Sequence, residues 1–112
     1  MSAITTHVLD TSLGKPASGV KVTLSVRDPV GFRELARAET DADGRIRQFL
    51  PDAPLERKTY QLVFDTAAHF RESGRPAFFE RVTLEFVVSD LSAHYHVPLL
   101  LTPFGYSTYR GS

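Results

Sequence analysis

The chain has 112 residues, 42% of them hydrophobic and 23% charged, a length suited to one hydrophobic core and a composition far from that of disordered segments. Thirteen Lys and Arg balance thirteen Asp and Glu, and no run of like charge forms a stripe, which argues against nucleic acid as a partner. There is no cysteine, so neither a disulfide framework nor thiolate chemistry is available.

The opening Met1-Ser2-Ala3-Ile4-Thr5-Thr6-His7 lacks the basic and apolar regions of a secretory signal. The longest apolar run, Val97 to Leu101, is far short of the ~20 residues that span a bilayer. The expectation is one cytoplasmic domain over residues 1–112, with no membrane partner.

Eight short strands follow from the period of two: Ile4 to Asp10, Val20 to Val26, Glu34 to Thr40, Arg45 to Leu50, Thr59 to Phe64, Arg81 to Val88, His94 to Leu101 and Tyr106 to Tyr109. Val20, Val22, Leu24 and Val26 alternate with Lys21, Thr23 and Ser25, the pattern of a strand with one buried face. Turn residues separate the first strands at Leu13-Gly14-Lys15-Pro16, Ser18-Gly19, Asp28-Pro29-Val30-Gly31 and Asp41-Ala42-Asp43-Gly44. Thr66 to Ser73 is the one helical stretch, with Thr66 as its cap and Gly74-Arg75-Pro76 as its stop. An all-β sandwich of seven to eight strands results.

Three of the four histidines fall on these strands. Alternation puts His94, His96, Pro98 and Leu100 on one face of theirs, and Thr5, His7 and Leu9 on one face of the first, so His7 and His96 meet if the two strands pair. His94-Tyr95-His96 has a spacing that zinc can use, but no cysteine and no carboxylate at a recognised spacing supports it. Asp41-Ala42-Asp43-Gly44 opens like a calcium loop but lacks the bidentate glutamate. Arg45 and Arg47 share a face, as basic residues on a solvated strand edge also would. The ending Tyr109-Arg110-Gly111-Ser112 gathers a phenol, a guanidinium, a hydroxyl and a free carboxylate, and either closes a pocket or is a simple chain end.

Five segments carry a likeness: Ile4-Thr5-Thr6-His7-Val8-Leu9-Asp10, Gly14-Lys15-Pro16-Ala17, Asp43-Gly44-Arg45, His94 to Leu101, and Tyr109 to Ser112. In this order and spacing they closely resemble the transthyretin-like 5-hydroxyisourate hydrolases of urate catabolism, over nearly the whole chain. The resemblance implies a transthyretin-like sandwich of two four-stranded sheets with one short helix. It further implies edge-paired dimers joined face to face into a homotetramer, with active sites in a central channel. The implied reaction is metal-free and cofactor-free ring opening of 5-hydroxyisourate to 2-oxo-4-hydroxy-4-carboxy-5-ureidoimidazoline. His7, Arg45 and His96 are then the catalytic residues, and Tyr109, Arg110, Gly111 and Ser112 bind the substrate. A carrier without catalysis is the alternative of the same fold, and a structural sandwich module the third reading.

Overall fold

The computed structural model describes residues 3–112. Nine strands and one helix follow in chain order: β1 Ile4–Asp10, β2 Lys15–Pro16, β3 Lys21–Asp28, β4 Gly31–Glu39, β5 Arg45–Ile46, β6 Thr59–Phe64, α1 Thr66–Glu72, β7 Val82–Val87, β8 Tyr95–Thr102 and β9 Gly105–Thr108. They form two sheets. One is β4-β3-β6-β7, and the other runs β2-β1-β8-β9, with the two-residue β5 added on β1.

Every described pairing is antiparallel except that of β1 with β8, which is parallel from Ile4↔Tyr95 to Asp10↔Leu101. The inward sides interdigitate around Val8, Val22, Leu62, Phe64, Leu99 and Leu101, all buried. Each such aliphatic or aromatic side chain contributes about 1.5–3 kcal/mol by leaving water. This is the sandwich with one short helix that the strand pattern predicts; the resemblance implies two four-stranded sheets, and the sheet that gains the two-residue β2 and β5 has five strands.

The departures are local. Lys15–Pro16, read as turn, pairs with Leu9 and Asp10 as β2. The fourth strand stops at Ile46 instead of Leu50, because the chain leaves the sheet and sends Phe49 into the core, where it is 2% exposed. β4 begins at Gly31, earlier than Glu34, since Asp28↔Gly31 closes a two-residue hairpin over Pro29-Val30. Thr66 is not the helix cap: Asp65 is, accepting from the Ala68 N–H at 3.4 Å, while Thr66 is the first helical residue and is buried. Gly74, with φ +68°, ends the helix as expected.

This arrangement leaves β1, β5 and β8 with one face on the core and one outside. Ile4, Thr6, Val8, Ile46, Tyr95 and Val97 take the buried side. Thr5, His7, Arg45, His94 and His96 are left for the other.

Candidate active site

The Asp41–Gly44 turn sets up the first part of this outer face. Asp41 Oδ1 accepts from the backbone N–H groups of Asp43 (2.9 Å) and Arg45 (3.0 Å). These bonds, that to Arg45 foremost, hold the Asp41 carboxyl below the usual carboxylate range against the opposing effect of desolvation, aided by the charges of Arg47 and Arg45. Gly44 is at φ +75° and its carbonyl accepts from Val8 N–H at 2.7 Å. A Cβ there would collide with the Val8 carbonyl oxygen, so only glycine lets the turn lie this close to β1. The turn thereby delivers Arg45 directly opposite His7.

His7 is half-buried, and its Nε2–H donates to the Asp43 carbonyl at 2.9 Å, which leaves Nδ1 as the acceptor of the neutral ring. Arg47 reaches back to Asp41 (2.7 Å) and Asp43 (3.7 Å). Arg45 makes no side-chain ion pair within 4 Å among the described residues, although its charge is felt by Asp41.

On the neighbouring strand, the parallel register sets Thr5 beside His96 and His7 beside Pro98, so His7 and His96 are diagonal neighbours on one face. Thr5 is 5% exposed and its hydroxyl sits between two imidazoles, 2.8 Å from His96 Nδ1 and 3.1 Å from His94 Nε2. The two rings lie nearly parallel with centroids 6.4 Å apart. Desolvation, then the nearby Arg45, His94 and His7, push the His96 pKa below its ordinary value, so its ring is neutral near pH 7.

The tail returns to this face through its backbone. Gly111 N–H donates to the His96 carbonyl at 2.8 Å, and a Cβ on Gly111 would stand 2.5 Å from His96 Cδ2. Glycine is required here because the tail lies flat against the imidazole. Thr5, Arg45, Arg47, His94, His96 and Ser112 line an open depression of about 300 Å³.

The sequence-predicted residues therefore divide. His7, Arg45, His96, Gly111 and Ser112 gather at one end of the outer face. Arg110 points away, its guanidinium 4.6 Å over the Tyr95 ring on the opposite side of β8. It lines, with Tyr109, a second groove of about 370 Å³ between β7 and β8. Sequence reasoning placed Thr5 and His94 on the right faces without giving either a task. What pairs them is the β1–β8 register, a contact across about ninety residues of chain. Among the described residues no group of three or more His, Cys, Asp and Glu has the arrangement of a metal site. His94 Nε2 and His96 Nδ1, the zinc candidates, both face the Thr5 hydroxyl.

Comparison with known proteins adds to the geometry. The family model described as HIUase/Transthyretin family matches residues 4–111. The chain is similar to a 5-hydroxyisourate hydrolase of Caulobacter vibrioides, 48% identical over the full length of both. Among solved structures it is similar to Klebsiella pneumoniae 5-hydroxyisourate hydrolase, with a TM-score of 0.85, 44% identity and coverage of 97% of this chain and 98% of that one. It is also similar to transthyretin of Sparus aurata, with a TM-score of 0.91, 28% identity and coverage of 99% and 97%. The backbone is thus common to hydrolase and transthyretin, and side chains must tell them apart.

Proposed function

The chain belongs to the HIUase/Transthyretin family, and from that premise we propose that it hydrolyses 5-hydroxyisourate at the depression on the outer face of β1, β5 and β8. The observation that carries the reading is the outer face itself. Two histidines on adjacent strands stand beside an unpaired arginine, a set suited to acyl hydrolysis and poorly matched to an apolar carrier channel. Hydrolysis of the ring amide needs an activated water, a stabilised oxyanion and a proton for the leaving nitrogen. His96 is neutral near pH 7 and can take a proton from water, and His7 has a free Nδ1 for the same task. Arg45 offers a permanent positive charge and a planar fork to the oxyanion.

The tail completes the pocket in this proposal. Gly111 packs on His96, Ser112 closes the depression through its hydroxyl or its carboxylate, and Arg110 anchors the tail on Tyr95. Tyr109, exposed beside the open edges of the two sheets, contacts substrate where a second subunit meets the first. That requires the homotetramer, built by edge pairing and then face-to-face contact. Its support is the exposed aromatic row Phe78, Phe79 and Tyr106 next to β9, with rings 5.0 and 5.6 Å apart in edge-to-face contact. No described helix is long and apolar enough to cross a membrane, and we place the enzyme in the cytoplasm with its substrate.

The test generates 5-hydroxyisourate from urate with urate oxidase and follows its ultraviolet decay with a chelator present. Faster decay with this protein, unaffected by the chelator, is the expected result. No acceleration by the folded, untagged oligomer would move the assignment to a carrier.

A further inference from the structure

We infer that Thr5 and His94 form a proton relay behind His96, so that the charge created when His96 activates water moves to the surface histidine. This inference rests on the hydrolase reading above and assigns a task to two residues that line the depression and that the reading leaves without one.

A threonine hydroxyl has a single proton to donate, and Thr5 Oγ1 lies within hydrogen-bond distance of two imidazole nitrogens, His96 Nδ1 at 2.8 Å and His94 Nε2 at 3.1 Å. It can donate to only one of the two rings, and whenever it does so it accepts from the other, which couples the two tautomers. If His96 Nδ1–H donates to Thr5, then Thr5 donates to His94 Nε2, and His96 Nε2 is an unprotonated base. If the hydroxyl turns the other way, His94 Nε2–H donates to Thr5, Thr5 donates to His96 Nδ1, and His96 Nε2–H is an acid. The same three groups thus prepare His96 for either of the roles that hydrolysis demands in succession.

The surroundings decide where positive charge can rest. His96 is half-buried under the Gly111 backbone and shares its face with Arg45, Arg47, His7 and His94, with Ser112 also lining the depression. Desolvation first, then the nearby Arg45, His94 and His7, disfavour an imidazolium at that position. His94 is exposed, and water solvates its cation. The relay connects the half-buried ring where the proton must be taken up to a ring that water reaches.

The step balances as follows. Water adds to the ring carbonyl carbon through a new C–O bond, and its proton passes to His96 Nε2. The Nδ1 proton of His96 passes to Thr5 Oγ1, and the hydroxyl proton of Thr5 to His94 Nε2, leaving His96 neutral and His94 cationic. When the C–N bond breaks, the three transfers reverse: His94 returns its proton to Thr5, Thr5 to His96 Nδ1, and His96 Nε2–H protonates the leaving nitrogen. The sum is one water added across C–N with the protein unchanged.

His94→Asn and Thr5→Val each remove the relay, the second with little change of shape, while Thr5→Ser keeps the hydroxyl. In the chain as it assembles, kcat for 5-hydroxyisourate is expected to fall about tenfold in His94→Asn and Thr5→Val, with KM within twofold. Thr5→Ser should recover most of the loss, and the double variant should lose no more than either single one. The readout that a merely structural role would not move is the proton inventory in mixed H₂O and D₂O. It should bow for wild type and Thr5→Ser, where several protons move together, and be linear for the two relay variants. Full turnover and an unaltered inventory in His94→Asn would overturn the relay while leaving the hydrolase intact. A wild-type chain that does not hydrolyse 5-hydroxyisourate would remove both.

Discussion

β1 carries histidine and arginine chemistry at both of its ends, and the two ends are used in opposite ways. At the far end Asp10, 1% exposed, receives His69 Nε2 at 2.9 Å and Arg75 at 2.6 Å on one oxygen, and Ser12 and the Leu13 N–H on the other. Arg75 also donates to Ser12 and Ser73 and lies 5.0 Å over the Phe70 ring. Burial raises the Asp10 pKa, but the bonds from Arg75, Ser12 and His69 outweigh it and hold the carboxyl far below its usual range.

At the near end, His7, His96 and Arg45 have no carboxylate partner among the described side chains, and the face is open to solvent. The same residue types stabilise where a buried carboxylate saturates them and are free for chemistry where none does. Asp10 ties α1 and the chain after it to β1. The other end leaves Arg45 and two imidazoles for a substrate.

That contrast is broken most sharply by His96→Asn and His7→Asn. Each is expected to lower kcat about 10²-fold or more, as loss of an acid/base group does, while the thermal midpoint stays within a degree or two of wild type; a normal kcat in a folded variant would mean that the face is not the reaction site. Gly111→Ala comes next. Its methyl must displace the His96 ring, and about a tenfold fall in kcat/KM is expected from the misplaced imidazole. Retained activity would show that the tail does not position His96.

Asp10→Asn should do the reverse. It leaves Arg75 and His69 short of their anion, and a stability loss of about 2 kcal/mol is expected in urea unfolding, discounted for the partial exposure of Arg75. Steady-state kinetics of the same variant should stay within about twofold at temperatures where it is folded.

The smallest effect is one of pH. Because the folded-state pKa of Asp10 is depressed, its contribution is present above the unfolded value of ~3.9 and fades as pH falls through the folded one. Wild-type stability should therefore drop more steeply below about pH 4 than that of Asp10→Asn. Parallel curves would deny the cluster its role.

How far the sequence carried this comparison differs between the two ends. The outer face was legible, because strand alternation alone puts Thr5 with His7, and His94 with His96, and the resemblance added Arg45 and the tail. The Thr5 contact to both imidazoles was not, since it depends on a parallel register between the first and eighth strands that no local pattern encodes. The Asp10 cluster was missed altogether: Asp10, His69 and Arg75 come from a strand end, a helix and the loop after it, and only tertiary packing joins them. β5 was drawn too long because Leu50 keeps the parity of Ile46, whereas the chain has already left the sheet and buries Phe49, of the other parity, in the core. The cap was assigned to Thr66 because Asp65 and Thr66 are both capping residue types and stand side by side at the junction of the strand and the helix.

The most direct measurement pairs turnover with stability in one variant. The ultraviolet decay of enzymatically generated 5-hydroxyisourate is followed with wild type and with His96→Asn, and the thermal unfolding of both is recorded. The account predicts rapid decay with wild type, at least a hundredfold less with the variant, and coincident melting curves. Equal decay with both proteins, or slow decay explained by a collapsed melting temperature, would contradict the claim that the unpaired outer face is where the reaction occurs.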